Sequence, residues 1–259
     1  MKAVSRWFLS SLAVLATAGC LAPVPPDPND PGVNNGAKNV DSLLKSLTWM
    51  SNQVNDRRLR GELTDEEGKA ALKRFAQGLL KNASEEPPKP EEAWKYADLY
   101  RNAGRWRDAR RTLKQAVEYA KQTKNEDRRV NDTLRLAQAM ANLGEVKEAI
   151  KTARTAFDAG DRDAAPILPA TLLEIVPAAA GKGHDALLAV LLEEAIKHHR
   201  RTIIDPESDA GKAFLATRWR HIADAWKRVI ELYQSGGQKE LARQAALRAE
   251  AMLLNHRRI

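Results

Sequence analysis

A stretch of about forty residues recurs in the middle of this chain, and the recurrence limits the fold more than any other feature. The first copy is marked by Tyr96-Ala97, Tyr100, Gly104, Trp106, Ala109, Leu113 and Ala116. A shift of forty residues places Leu136-Ala137, Met140, Gly144, Val146, Ala149, Ala153 and Ala156 at the same intervals, both glycines included. Steps of three and four residues between apolar and small side chains are helical steps. A glycine between two such runs marks a chain reversal, so each copy reads as two helices joined by a tight turn. One such pair cannot bury its own apolar faces, so neighbouring pairs must stack, and at least three units are usually needed.

Elsewhere the pattern is weaker but still helical. Leu43, Leu44, Leu47 and Met50 share one face, and a second run passes through Leu72, Phe75 and Leu79. Thr64-Asp65-Glu66-Glu67 supplies a cap and a capping-box Glu for that second run. Ser84 to Pro90 is a charged, proline-rich break. Leu173, Gly181, Ala186 and Val190 keep part of the spacing, but Pro177 stands where the aromatic belongs, which predicts a helix break or kink. Val229, Tyr233, Gly237, Ala242, Ala246 and Ala249 recover most of it near the end. The ranges 40–82, 91–121, 129–159, 165–200 and 212–256 would then be helix pairs, and Arg201 to Lys212, with Asp205-Pro206 and Gly211, reads as a loop. Low aromatic content (5%) and abundant alanine agree with helices packed closely through small side chains.

The large–small pair, the aromatic three residues on, the turn glycine and the small residues of the second helix resemble the tetratricopeptide repeat. The two best units lack that family's closing proline, and their forty-residue spacing exceeds its common thirty-four. The resemblance implies an all-α fold: a right-handed superhelical array of antiparallel helix pairs over residues 40–259, with the first helix of each pair lining a concave face. It also implies a protein or peptide partner, bound in that groove by Asp98, Arg101, Asn102, Gln138 and Asn142. Members that grip a C-terminal carboxylate use Lys and Asn at set positions. Asp98 stands at one of them here, which speaks against that clamp.

The formal charge is +8. Arg107, Arg110, Arg111, Lys114 and Lys121 run along one side of a predicted helix. Such stripes are usually solvated faces; the other reading is contact with anionic headgroups or an acidic partner. The excess charge is modest and spread along the chain, so nucleic acid is not an expected partner.

Residues 1–19 have the three parts of an export signal: basic Lys2 and Arg6, an apolar run from Trp7 to Ala16, and small Thr17-Ala18-Gly19. The apolar run is too short for a spanning helix, which needs about 20 residues. Directly after it comes Cys20, the one cysteine in the sequence, so a disulfide within the chain is excluded. Ala18-Gly19-Cys20, preceded by Thr17, is similar to the lipobox of bacterial lipoprotein precursors. That resemblance implies cleavage before Cys20, a thioether-linked diacylglycerol on its sulfur, and membrane anchoring by the acyl chains. Leu21, where inner-membrane lipoproteins usually carry Asp, leans toward the periplasmic face of an outer membrane. The alternative is a soluble exported protein with a cysteine near the cleavage site by chance. Residues 20–39 include Pro23-Val24-Pro25-Pro26-Asp27-Pro28-Asn29-Asp30-Pro31-Gly32 and read as an extended tether. Without Lys2 and Arg6 the charge falls to about +6.

No residue set marks a catalytic or metal site. His198-His199 are adjacent and point about 100° apart on a helix, a poor chelate. They and His184, His221 and His256 read as solvated or capping side chains, and no cofactor is expected. Gly181-Lys182-Gly183 lacks the other residues of a phosphate loop and reads as a turn. Three functions remain open: a binding scaffold, an assembly factor for outer-membrane proteins or pili, and, at the margin, an envelope enzyme. Oligomeric state is not legible.

Overall fold

The computed structural model describes residues 39–83, 87–159 and 166–256. The expected export signal, Cys20 and almost all of the expected tether therefore lie outside the described residues. Every regular element among the described residues is helical, and the chain alternates helix and turn throughout. The first pair is α1 (Val40–Leu59) with α2 (Asp65–Lys81), and the second is α3 (Ala93–Asn102) with α4 (Trp106–Gln122). Then come α5 (Glu126–Asn142) with α6 (Val146–Ala159). The fourth pair opens on α7 (Ile167–Ala170), a π-helical turn (Thr171–Ile175) and α8 (Val176–Ala179), run end to end, and closes on α9 (Asp185–Arg201). The last pair is α10 (Asp209–Ser235) with α11 (Lys239–His256). None of these helices is long and apolar enough to cross a membrane.

The turns explain the glycines. Gly104 takes φ +73°, a conformation cheap only without a Cβ, and the Arg105 N–H closes back onto the Tyr100 carbonyl at 2.8 Å. Gly144 and Gly237 end their helices by the same closure. Between α4 and α5 the same closure, Asn125 N–H to Ala120 O at 2.9 Å, forces Lys124 into φ 54°. A side chain with a Cβ pays roughly 1 kcal/mol for this conformation. Lys124→Gly should therefore stabilise the protein by several tenths to about 1 kcal/mol in urea unfolding. An unchanged or lower midpoint would mean the lysine side chain contributes what its backbone costs.

The repeat positions lie where the helices meet. Ala97, Ala109, Ala137, Ala149 and Ala153 are buried between helices, with Leu113, Met140 and Val146 around them. Small residues at these crossings let the backbones approach. The Thr64 capping box also forms: the Thr64 hydroxyl accepts from the Glu67 N–H at 3.2 Å, and Glu67 accepts from the Thr64 N–H at 2.8 Å. One apolar cluster joins α1, α2 and α3, a second runs from α3 to α11, and Tyr100 packs against both.

Three sequence expectations need correction. The predicted loop from Arg201 to Lys212 is shorter, because α9 reaches Arg201 and α10 starts at Asp209. Ser208 caps α10 by accepting from the Gly211 N–H at 3.0 Å, and a Cβ on Gly211 would stand 1.9 Å from the Asp205 carbonyl oxygen. That glycine serves a close approach inside a helix start, not a loop. At Pro177 the helix neither stops nor breaks. The preceding turn widens instead, with the Val176 N–H bonding back to the Thr171 carbonyl five residues earlier. The widening shifts the register, so Leu173 is 63% exposed while Leu172 and Ile175 are buried. In α11 the buried position is Ala245, and Ala246 faces water.

Candidate functional site

The first helices of the second, third and fourth pairs share a polar surface whose centre is Arg101 on α3. Trp94, Asp98 and Arg101 are spaced four and three residues apart, which aligns them on one stripe of α3. Arg101 donates from Nε to Gln138 Oε1 on α5 at 2.7 Å. It donates from Nη1 to Asp98 Oδ1 at 3.0 Å and from Nη2 to Glu174 Oε2 at 2.7 Å. One guanidinium thus ties three successive pairs, using the fork geometry that suits arginine to planar acceptors. Glu174 reaches it from the π-helical turn, so the irregular turn near Pro177 supplies a residue of this polar surface. At 41% side-chain exposure, Glu174 keeps an open edge.

A second chain of charges continues along α5. Arg135 Nη1 lies 3.3 Å from Asp98 Oδ2 and 3.7 Å from Asp132 Oδ1. Arg128 donates from Nε to Asp132 Oδ2 at 3.1 Å, and its guanidinium carbon sits 3.4 Å from the centre of the Trp94 ring. Such stacking offsets part of what a cation loses on leaving water. Asp132 is fully buried, and burial pushes its carboxyl above the usual range despite Arg128 and Arg135 nearby. Burial likewise holds Arg128 below its ordinary value.

Of the five groove residues expected from the sequence, Asp98, Arg101 and Gln138 come together directly. Asn102 and Asn142 turn back on their own helices, donating at 2.8 Å to the Asp98 carbonyl and at 2.9 Å to the Gln138 carbonyl. Trp94, Arg128, Asp132, Arg135 and Glu174 also belong to the surface and are not visible as a set in the sequence. The i, i+4 spacing of Arg128 and Asp132 was a signal, but the same spacing is common on solvated helix faces.

On α4, Arg107, Arg111, Lys114 and Lys121 are exposed, whereas Arg110 is half-buried in an ion pair with Glu145 of the next pair. Asp108 takes Arg105 at 2.8 Å and Arg111 at 3.0 Å, so acidic neighbours offset much of the stripe. The Gly181-Lys182-Gly183 segment is a turn, and it is pinned in place. Asp185 accepts from the Gly181 N–H at 2.8 Å and from the Ser235 hydroxyl at 2.7 Å, while Lys182 donates to the Ala141 carbonyl at 2.7 Å.

One histidine departs from the sequence reading. His199 is 3% exposed, with its ring 4.6 Å from that of Phe214 and 6.2 Å from that of His221. Burial, aided by His221, Arg218 and His198, pushes its pKa down to about 4. Among the described residues no group of three His, Cys, Asp or Glu side chains is placed to hold a metal ion.

These elements define an all-α array of tetratricopeptide-like helix pairs. No protein-family model matches the chain, and no curated protein is similar to it. Among solved structures, the crystal structure of the putative kinesin light chain nearly identical TPR-like repeats of Podosopora anserina is similar at 18% identity. That match covers 82% of this chain and 97% of the other, with a TM-score of 0.43. BtubC (BKLC) from P. vanneervenii matches at 14% identity over 84% of this chain and 91% of its own, with a TM-score of 0.42.

Proposed function

We propose that this protein is a non-catalytic scaffold that binds a protein segment along the face made by α3, α5 and the π-helical turn. The observation that carries this reading is the ladder built on Arg101, which holds three successive helix pairs in register. A surface fixed before binding loses less freedom when a partner arrives. Glu174 and Arg135 retain partly open edges, and Trp94 with Arg128 gives a flat aromatic–cation platform beside them. Asp98 and Arg101 are engaged with each other, so recognition would use the rim of the ladder more than its centre.

Membrane attachment through lipidated Cys20, on the periplasmic face of an outer membrane, is the second half of the proposal. It is supported by Ala18-Gly19-Cys20 and the proline-rich segment behind it. Two or more acyl chains hold a protein durably at a bilayer, each buried methylene contributing about 0.8 kcal/mol.

Two measurements separate these halves. Photo-crosslinkers placed at Arg135 or Glu174 in native membranes should give one discrete adduct, and a crosslinker at Lys114 on α4 should not. Adding Arg101→Ala should reduce the adduct in a chain that remains folded. Equal adducts from all three positions would remove the groove reading. Separately, Cys20→Ala should move the chain from the membrane to the soluble fraction and abolish palmitate labelling. Unchanged membrane recovery would end the lipid-anchor reading alone.

A further inference from the structure

The last three helices enclose a cleft of about 780 Å³ that shares no residue with the Arg101 ladder. Its floor is apolar. Ile196 of α9 and Trp226 of α10 are buried there, and Trp226 donates from Nε1 to the Met252 sulfur of α11 at 3.3 Å. Trp219 and Ala251 extend the apolar surface toward the opening.

The rim is basic. Lys197, Arg200, Arg218 and Arg248 line it, against one carboxylate, Glu193. That carboxylate is already engaged: Arg248 donates to it at 2.8 Å, and Tyr233, pushed up to about 12 by burial and by Glu193, is hydrogen-bonded to it. Lys197, Arg200 and Arg218 form no ion pair among the described residues, so three cations remain uncompensated. Arg218 donates from Nη2 to the His199 carbonyl at 3.3 Å and to the Arg200 carbonyl, which anchors it at the end of α9. Its Nε is out of water with no acceptor, and burial together with the Arg200 charge holds its pKa below the ordinary value. An anion in the cleft would relieve the repulsion among these cations.

We propose that this cleft binds a small anionic amphiphile, with a carboxylate or phosphate among Lys197, Arg200 and Arg218 and an apolar body laid against Trp219 and Trp226. A bare anion would leave the open apolar surface at Trp219 and Ala251 uncovered, and an uncharged hydrocarbon would leave the cations uncompensated. The volume falls within the range of about 300–1,000 Å³ that small-ligand sites occupy. The site is independent of the groove and of the lipid anchor.

Titration calorimetry on the full chain with monomeric decanoate, decyl phosphate, decanol and inorganic phosphate tests the assignment. Saturable 1:1 binding is expected for decanoate, decyl phosphate or both, and whichever binds tighter identifies the headgroup. Decanol and inorganic phosphate should each bind at least about tenfold more weakly. Lys197, Arg200 and Ala251 are exposed, so changes there leave the fold in place. Arg200→Glu and Lys197→Glu should each weaken binding about tenfold or more, the scale of a lost charge-assisted hydrogen bond. Ala251→Trp, which fills the cleft and keeps its charges, should abolish binding without lowering the melting temperature. The proposal is overturned if decanol matches the anions, if no anion saturates, or if Arg200→Glu and Ala251→Trp bind like the parent.

Discussion

Acidification from pH 7 to pH 4 is expected to cost the fold about 3 kcal/mol through His199 alone. The unfolded imidazole titrates near 6.5, whereas in the folded protein burial lowers it to about 4. Between those values the unfolded chain binds a proton that the folded chain does not, so stability present above pH 6.5 is lost as pH falls through 4. Among the described residues no carboxylate opposes the effect at the ring. Phe214 packs on one side, and His221, Arg218 and His198 all disfavour a second positive charge. His221 is itself lowered by burial and by Arg220, with Asp224 acting the other way, and adds in the same direction. Urea unfolding at a series of pH values would show the slope, and His199→Leu should flatten most of it. Parallel slopes in parent and variant would place the acid sensitivity elsewhere.

The second large effect is expected at Asp132. Its carboxylate is fully buried beside Arg128, and its Oδ1 accepts no hydrogen bond. Arg128 Nη2 is likewise buried without a hydrogen-bond acceptor. Removing the carboxyl group alone leaves the largely buried Arg128 Nε–H without its acceptor, and Asp132→Ala should destabilise by about 3 kcal/mol. Removing both charges is different. Because burial outweighs the attraction on each partner, Arg128→Met combined with Asp132→Leu should be close to neutral or mildly stabilising. A double variant as unstable as the single one would show that Arg128 acts through its stacking on Trp94, not through its charge. The pH sign is opposite to that of His199. The Asp132 carboxyl is raised in the folded state, so its contribution is greatest below the unfolded value of 3.8 and is lost as pH rises through the folded one.

The central hairpins were the most legible part of the chain, and the reason is steric. Gly104 and Gly144 each sit where only a residue without Cβ turns the backbone cheaply, and the alanines that follow mark helix crossings. Legibility failed where one residue changed the phase. The widened turn before Pro177 contains an extra residue per hydrogen-bonded ring, so a fixed-interval template assigned Leu173 to the core when Leu172 holds that place. Gly211 was misread because a glycine needed for the approach of the Asp205 carbonyl looks the same in sequence as a glycine in a loop. The polar surface around Arg101 was half legible. Asp98, Arg101 and Gln138 followed from the repeat positions. Glu174 did not, because its placement depends on the widened turn, and Asp132 did not, because burial of a charged residue at ordinary helical spacing is decided by neighbours 30 or more residues away in sequence, such as Trp94. His199 was misread for the same reason, since Phe214 and Arg218 that cover it come from the next helix.

The two apolar clusters that meet at Tyr100 carry a mechanical implication. A rod pulled at both ends yields at its weakest cross-section, and here the clusters divide along α3, whose Tyr96 and Leu99 belong to the first and Ala97 to the second. The first hairpin is held to α3 by that first cluster, by Lys95 on Asp41 at 2.6 Å and by Gln77 on the Ala103 carbonyl at 3.1 Å. Under load the array would part along α3, and because Arg101 stands on that helix, its bonds to Gln138 and Glu174 would carry the strain toward the later pairs.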